Sequence, residues 1–292
     1  MIVTVTLNPA LHVQYRAARL ALGESNQLSQ ASSRAGGHGL AIARVLQAFG
    51  HDVLAAGLAG GATGELIRTD LARSGVPARF TSIGRESRRV IEITDAAGQT
   101  TGFTEPAPYI TTEEVGRLAA DYRGLLADAV AVVLSGSLPA GLPPEIYGTL
   151  ATYAADAGVP AVIDAGGTEL AHGLGRRPAL VIPGPGGAGP ASGLDAAALL
   201  ADGVGALVTV TAGEVRAVTA DGQWRAAPPG DPGRPGAREA LVAGLIPGLL
   251  VGWPWPDRLR HAAALAAAVL PSGEVDLEAY ERLLPAVPVS AC

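Results

Sequence analysis

Short runs rich in valine and isoleucine alternate along most of the chain with longer alanine- and leucine-rich patterns, and this alternation constrains the fold most strongly. The strand-like runs are residues 2–7, 53–58, 90–94, 129–134, 161–164, 179–182 and 206–211. The helical patterns between them are residues 40–49, 64–74, 112–126, 144–157 and 196–201. Strands that alternate with helices form βαβ units, so we predict an α/β protein built on a mostly parallel sheet.

The middle and the end of the chain indicate how that sheet is covered. Residues 132–134 are apolar without any polar alternation, which is typical of a strand covered on both faces. The last fifty residues are mostly helical in pattern, with late helices predicted at residues 258–270 and 277–284. Residues 240–256 carry no charge, but their glycines and prolines would break a membrane-spanning helix. We therefore expect a buried helix there and no membrane span.

Two stretches do not follow the alternation of strands and helices. Residues 12–33 alternate polar and apolar side chains without a helical pattern. Residues 85–104 are predicted to contain two antiparallel strands, at 90–94 and 100–104, joined by a turn through Ala97 and Gly98. We expect the two stretches to form a small, one-sided β element outside the main sheet. The glycine- and proline-rich residues 184–193 are predicted to be a mobile loop.

The charge and cysteine content exclude several functional classes. The net charge is −6, the isoelectric point is about 5.4, and all 21 basic residues are arginine. Nucleic acid is therefore not an expected partner, and lysine-based phosphate loops and Schiff-base chemistry are excluded. The single cysteine, Cys292, can form no internal disulfide, and the chain opens with a strand pattern rather than a signal peptide. We expect a cytoplasmic protein.

Two glycine-containing segments precede helical patterns, the position at which open α/β sheets bind ligands. The first, residues 35–39, reads Ala-Gly-Gly-His-Gly, and the second, residues 235–239, reads Pro-Gly-Ala-Arg-Glu. Each has two interpretations. A glycine turn before a helix is a common cap, but it also exposes amides that bind anions. Glu239 either complements the dipole of its helix or serves as a general base.

Several further motifs occur in a fixed order along nearly the whole chain. They are Thr6-Leu7-Asn8-Pro9-Ala10-Leu11, Gly36-Gly37, Thr104-Glu105-Pro106, Ser135-Gly136-Ser137-Leu138-Pro139 and Gly236-Ala237 before Leu241-Val242-Ala243-Gly244. In residues and spacing they resemble the fructose-1-phosphate kinase and tagatose-6-phosphate kinase branch of the PfkB, or ribokinase-like, family. The resemblance implies one domain over residues 1–292, a three-layer α/β/α sandwich with a mostly parallel sheet. It also implies a small β-sheet lid, made of residues 12–33 and 85–104, through which two copies commonly pair.

The resemblance implies that ATP, with magnesium, phosphorylates a hydroxyl of a sugar or sugar phosphate. In the family an aspartate that ends a Gly-Ala-Gly-Asp motif takes the hydroxyl proton, and the preceding amides hold the transferring phosphoryl group. The matching residues here are Gly236, Ala237, Arg238 and Glu239. The added methylene of Glu239 moves the carboxylate by about 1 Å, which can slow a reaction on the order of a hundredfold. Arg238 either strains and disturbs the anion hole or acts as a phosphate clamp.

The substrate positions implied by the resemblance also depart from the family pattern. His12 stands in place of an aspartate, His38 follows Gly37 in place of a lysine, and Ala41 stands in place of an asparagine. A neutral imidazole reproduces neither a carboxylate nor a fixed positive charge. The other predicted substrate contacts are Ser137 and Arg88, a phosphate partner beside which a second arginine, Arg89, has appeared.

The residues that organise magnesium and the nucleotide in the family are largely replaced here. The family motif Lys-Pro-Asn-x-x-Glu corresponds to residues 182–187, so Gly184 and Gly187 stand where the asparagine and the glutamate are expected. Of the nucleotide loop, Thr211 and Gly213 remain as predicted cofactor contacts. No metal ligands are assigned, and ATP with Mg²⁺ is the expected cofactor if the protein is active.

Three functional hypotheses follow. The chain is a sugar or sugar-phosphate kinase homologue with a degraded site, weak or inactive in phosphoryl transfer. Alternatively, it is a catalytically dead relative that binds a ligand or a protein. The third hypothesis is an enzyme of another class that reuses the cleft through His12 and His38 as acid/base groups or metal ligands. The expected partner is a small sugar or sugar phosphate, with homodimerisation through the lid.

Overall fold

The computed structural model describes residues 1–166, 170, 174, 177–184, 195–211, 213–229, 234–270 and 272–292. Most of the glycine- and proline-rich tract predicted as a loop, residues 185–193, lies outside the described residues. Gly187, where the family glutamate is expected, and Ala212, in the nucleotide loop, lie outside them as well.

The main sheet has ten strands within the described residues. They are β1 (Ile2–Thr6), β4 (Val53–Ala59), β5 (Ala78–Ser82), β8 (Ala131–Ser135), β9 (Ala161–Ala165), β10 (Leu180–Pro183), β11 (Ala206–Val210), β12 (Val215–Thr219), β13 (Gly222–Ala226) and β14 (Val289–Ala291). Their order is β14-β13-β12-β11-β10-β9-β8-β1-β4-β5. The seven strands from β11 to β5 are parallel, and β12, β13 and β14 extend the sheet in antiparallel fashion. The predicted parallel sheet is confirmed.

Sequence reasoning missed β5 and the antiparallel extension β12–β14. The strands β12 and β13 form a hairpin in which buried and exposed residues are mixed. Such strands carry a weaker apolar signal than central ones, because only one of their faces is well covered. The three-residue strand β14 is too short for a pattern to be read at all.

Helices cover both faces of the main sheet. They are α1 (His38–Ala48), α2 (Gly61–Arg73), α3 (Thr112–Leu126), α4 (Ile146–Asp156), α5 (Ala196–Ala201), α6 (Ala237–Val251), α7 (Trp255–Ala267) and α8 (Leu277–Leu283), followed by a 3₁₀ turn at Leu284–Ala286. Strand β8 shows the layering: Val133 packs into the cluster with α1, α6 and α7, whereas Val132 and Leu134 pack into the cluster with α3 and α4. Both faces of this strand are buried, as its unbroken apolar run predicts.

A separate, small sheet has four strands within the described residues. They are β2 (Ala10–Ala17), β3 (Leu28–Gly36), β6 (Arg88–Thr94) and β7 (Thr100–Thr104), in the order β3-β2-β6-β7. Strands β2 and β6 are parallel, and the two outer pairs are antiparallel. The hairpin β6–β7 turns through Gly98, at φ 80°, as its sequence predicts. The stretch at residues 12–33 forms a second hairpin, which is longer than that stretch by two residues at its start and three at its end.

The uncharged run at residues 240–256 is mainly the helix α6. Most of its residues are buried, and it ends at Val251, before Gly252, which adopts the left-handed conformation at φ 78°. Within the described residues, no helix combines the length and the hydropathy that crossing a membrane requires. The predicted buried helix is therefore confirmed.

Candidate active site

The carboxyl ends of the parallel strands meet the small sheet at one edge of the molecule, and α1 and α6 both begin there. A cavity of about 790 Å³ lies between these elements, and we call it the central cavity. Residues that line it include His12, Gly37, His38, Ala41, Arg88, Gly236 and Glu239, together with Arg34, Arg44 and Asp70. The fold thus brings together seven side chains or glycines that the sequence singled out from distant segments.

The small sheet presents alternate residues to the central cavity. Ala10 pairs with Gly36 on one side and with Arg88 on the other, and His12 pairs with Arg34 and Val90. Because side chains two apart share a face, His12, Arg34 and Arg88 come together on the cavity side. A Cβ atom on Gly36 would lie 2.1 Å from Cδ2 of His12. Glycine is therefore required there to leave room for the imidazole.

The two neighbouring arginines of β6 have opposite surroundings. Arg88 lines the central cavity, and its Nε atom is buried without a hydrogen-bond partner among the described residues. Arg89 points to the other face, where its Nη2 and Nε atoms donate to Oε1 of Glu105 at 2.6 and 2.9 Å. Arg88 therefore keeps capacity for an anionic ligand, whereas Arg89 is held by the loop that follows β7.

Sequence reasoning missed two further arginines that line the cavity, Arg34 and Arg44. Nη2 of Arg44 donates to Oδ2 of Asp70 at 2.8 Å, and the same oxygen accepts from the Ala35 amide at 2.8 Å. Nη1 of Arg34 donates to the Ser272 carbonyl at 2.8 Å. Spacing in the sequence assigns neither residue. Arg34 reaches the cavity through the pairing of β3 with β2, and Arg44, six residues after His38, does not share its helical face.

The central cavity also holds an imidazole–carboxylate pair. His38 is the first residue of α1, Glu239 lies in the first turn of α6, and Nδ1 of His38 is 3.0 Å from Oε1 of Glu239. The hydrogen bond that His38 donates to Glu239 raises the pKa of His38 above its ordinary value, against the effect of burial. Burial alone would raise the pKa of Glu239, but the hydrogen bond and the positive charge of His38 hold it below its ordinary value.

His12 has a different electrostatic environment. Burial is the largest influence and lowers the pKa of His12, with Arg88 and Arg44 acting in the same direction against Glu92. Its imidazole is therefore neutral at neutral pH and offers one donor and one acceptor to a ligand. The two histidines of the cavity differ in charge preference although both face the same space.

Arg238 points away from the cavity end that holds Glu239. Its Nη2 atom donates to Oδ1 of Asp164 at 2.5 Å and to the carbonyls of Ile182 and Pro183 at 3.1 and 2.9 Å. Asp164 is almost fully buried and also accepts from Oγ of Ser135 at 2.7 Å. The left-handed residue of this turn is Gly236, at φ 84°, and Arg238 has helical backbone angles. The backbone strain considered for Arg238 is therefore absent.

The turn before α6 fits an anion only in part. Its cap residue, Gly236, supplies no side chain, so the first amides of the helix face the site without a competing side-chain cap. The Ala237 amide donates to the Arg234 carbonyl at 3.0 Å. A phosphoryl group would bind that amide only after exchanging this hydrogen bond.

The remaining predicted site residues do not line the central cavity. Oγ of Ser137 accepts from Nδ2 of Asn8 at 3.2 Å, close to the start of α1. The amide and hydroxyl of Thr211 both donate to the Glu214 carbonyl in the turn after β11, and Gly213 has open space around it. In the part of the chain that the structure describes, no group of three or more histidine, cysteine or acidic side chains is placed to hold a metal ion.

Comparisons with known proteins agree with this architecture. A family model described as pfkB family carbohydrate kinase matches residues 8–278. A Thermotoga maritima structure described as a possible 1-phosphofructokinase is 24% identical, with a TM-score of 0.85 over 100% of this chain and 99% of that chain. Phosphofructokinase-2 from Escherichia coli, in a tetrameric inhibited form, is 21% identical, with a TM-score of 0.83 over 98% of each chain. The same enzyme in complex with fructose-6-phosphate is 21% identical, with a TM-score of 0.81 over 98% of each chain. The predicted ribokinase-like fold is confirmed.

Proposed function

This chain belongs to the pfkB family of carbohydrate kinases, and from that premise we propose that it binds a sugar phosphate in the central cavity and phosphorylates one of its hydroxyls with ATP. The observation that supports this function best is the polarity of the cavity. Arginines, among them Arg88, line the same cavity as the pair of Glu239 and His38. One cavity therefore offers cationic groups for an anion and a pair that can accept a proton.

The arginines of the cavity select for a phosphate rather than for a neutral sugar. Arg44 has Asp70 as its partner and Arg34 is bonded to a carbonyl, but the Nε atoms of Arg88 and Arg44 are both buried without a partner among the described residues. A buried donor without a partner is costly, and a phosphate oxygen satisfies it. The Escherichia coli relative was solved with fructose-6-phosphate, a ligand of this class.

Magnesium is expected to enter with the nucleotide. Gly184, at the end of β10, has no side chain to offer a metal, and the oxygens of Asp164, Ile182 and Pro183 are engaged by Arg238. The described residues therefore do not fit a resident magnesium ion, and we assign no step to one. Thr211, Gly213 and the first turn of α6 stay the predicted nucleotide contacts.

Turnover is proposed to be slow. The base position holds a glutamate already paired with His38, and Arg238 occupies the oxygen-rich ends of β9 and β10. The second candidate function, binding without turnover, is favoured by that same placement of Arg238. The small sheet is proposed to act as a lid over the cavity and to pair two copies of the chain, which light scattering tests directly. A cytoplasmic location also stays a prediction.

Calorimetry and a coupled assay of ADP release test the proposal. We expect ATP–Mg and one of fructose 1-phosphate, fructose 6-phosphate or tagatose 6-phosphate to bind, with ADP released only when both are present. Arg88→Gln should weaken sugar-phosphate binding about 10- to 100-fold, because it removes a charged hydrogen-bond donor, and leave ATP binding unchanged. The matched control is Arg89→Gln on the opposite face of the same strand. Equal losses in the two variants would contradict the assignment, and binding without ADP release would select the second candidate.

A further inference from the structure

His38 and Glu239 form a dyad whose geometry separates the two nitrogens of the imidazole. Nδ1 faces Glu239 at 3.0 Å, so Nε2 lies on the far side of the ring, away from the carboxylate. The side chain of His38 is 47% exposed, whereas that of Glu239 is only 15% exposed. In the neutral imidazole, a proton on Nδ1 that is donated to a carboxylate leaves Nε2 as the acceptor. The accessible lone pair of the dyad therefore belongs to the histidine.

We propose that His38 is a catalytic residue that takes the proton of the substrate hydroxyl through Nε2, while Glu239 orients its ring and balances its positive charge. This inference rests on the function proposed above. Glu239 would have to take the proton on Oε2, because its Oε1 faces His38, and its side chain is only 15% exposed. An imidazole is also better matched than a carboxylate to accept a proton near neutral pH. A histidine oriented by a carboxylate is a general solution to this task.

The proton and electron balance of the step is complete. Nε2 of His38 takes the hydroxyl proton, and the substrate oxygen forms a bond to the terminal phosphorus of the nucleoside triphosphate. The bond from that phosphorus to the bridging oxygen breaks, and the nucleoside diphosphate leaves with the electron pair. The imidazolium next to Glu239 then returns the proton to solvent, to which nearly half of the His38 side chain is exposed.

The charged groups that act on His38 come from two elements. Glu239 and Arg238 lie at the start of α6, and Asp164 lies at the end of β9; the two carboxylates raise the pKa of His38, and burial and Arg238 oppose them. A protonated His38 cannot accept a proton. The rate should therefore fall as the pH falls through a pKa that lies above the ordinary 6.5. If Glu239 were the base, its lowered pKa would leave the rate flat above pH 4.5.

Kinetics of three variants test this assignment. His38→Gln should lower kcat at least about 100-fold, as expected for the loss of a general base, with KM for the sugar phosphate nearly unchanged. Glu239→Gln should move the acid limb of the remaining activity to lower pH, and NMR titration of His38 should show the same shift without any turnover. The control is His51→Gln, at the other end of α1, for which we expect wild-type rates. Unfolding curves establish that each variant is folded.

The outcomes separate this inference from the proposed function. A His38→Gln variant within threefold of the wild-type kcat, with a flat rate from pH 5.5 to 7.5, makes Glu239 the base and overturns the inference alone. Binding of ATP–Mg and the sugar phosphate by the wild type without ADP release also overturns it and leaves the binding site standing. Absence of binding by both ligands overturns the proposed function, and the role of His38 with it.

Discussion

Adjacent residues in the first turn of α6, Arg238 and Glu239, form two ion pairs of opposite character. The Arg238–Asp164 pair is closed, with side chains 14% and 2% exposed, and the guanidinium also binds two carbonyls. The Glu239–His38 pair is open on one side, because His38 is half exposed in the central cavity. Both pairs join α6 to another element, but only the second has an accessible lone pair. Within one helical turn, burial therefore makes Arg238 a structural anchor and leaves the pair of Glu239 reactive.

The anchor closes a network at the carboxyl ends of three neighbouring strands. Asp164 on β9 accepts from Ser135 on β8 and from Arg238, which in turn binds carbonyls of β10. Removing one partner of a buried ion pair leaves the other charge without compensation, which costs more than the intact pair contributes. The same reasoning predicts little from the open pair, because water compensates its charges. Loss of one partner should therefore cost far more stability in the Arg238–Asp164 pair than in the Glu239–His38 pair.

The largest expected effect is that of Arg238→Met. The substitution keeps much of the side-chain volume but leaves the carboxylate of Asp164 buried and unpaired, so the free energy of unfolding should fall by about 3–5 kcal/mol. Urea unfolding measures it. The double variant Arg238→Met with Asp164→Asn removes the stranded charge and should recover most of the loss. A loss below about 1 kcal/mol in the single variant would show that the anchor is no stronger than an exposed pair.

An intermediate effect is expected at the glycine that sets the direction of both pairs. Gly236→Ala places a side chain on a left-handed residue, at φ 84°, with its Cβ 3.2 Å from Cγ1 of Val269 and 3.3 Å from the Cα atom of Gly273. The left-handed backbone costs about 1–2 kcal/mol, and the contacts add on the order of 1 kcal/mol.

The matched control for Gly236→Ala is Gly252→Ala at the other end of the same helix. Gly252 is also left-handed, at φ 78°, but a Cβ there has nothing within 4 Å. Thermal unfolding should show the larger loss for Gly236→Ala. Equal losses would mean that the start of α6 relaxes freely, and the fixed geometry of the two pairs would then need another cause.

The two pairs also show which parts of the site can be predicted from the sequence alone. Most of the elements were predictable from strand and helix periods, and the cavity positions of His12, His38, Arg88 and Glu239 from the order of motifs. The partner of Arg238 was not, since Asp164 is 74 positions away and the contact depends on how α6 docks on the sheet. Sequence reasoning placed Arg238 at a phosphate or in a strained turn, whereas its nitrogen binds a carboxylate and two carbonyls.

Two arginines that line the cavity, Arg34 and Arg44, were also not predicted from the sequence. Arg34 faces the same space as His12 only because β2 and β3 pair in one register, in which His12 lies opposite Arg34. A shift of one residue would turn Arg34 to the other face. The sequence indicates that the two strands pair but does not fix that register, so no single-sequence pattern could have assigned Arg34. The bond between Arg44 and Asp70 was not predictable either, because it depends on how the two helices that carry these residues pack.

The smallest expected effect lies in the open pair and appears as a dependence of stability on pH. The raised pKa of His38 gives stability that is present below its ordinary value of 6.5 and is lost as the pH rises through the folded value. The lowered pKa of Glu239 gives stability that is present above its ordinary value of 4.5 and is lost as the pH falls. The pair therefore stabilises the fold most between these two values.

Urea unfolding of the wild type and of His38→Gln at pH 6.0 and pH 8.5 checks the sign. The wild type should exceed the variant at pH 6.0, and the difference should shrink towards pH 8.5, because His38 loses its proton as the pH rises through its raised pKa. Comparing the two proteins at each pH cancels the opposite contribution of His12, whose lowered pKa favours the folded state at higher pH. A difference that grows with pH would mean that His38 carries no charge in the folded protein. The open pair would then be an ordinary hydrogen bond, and the contrast with the buried anchor would rest on Arg238 alone.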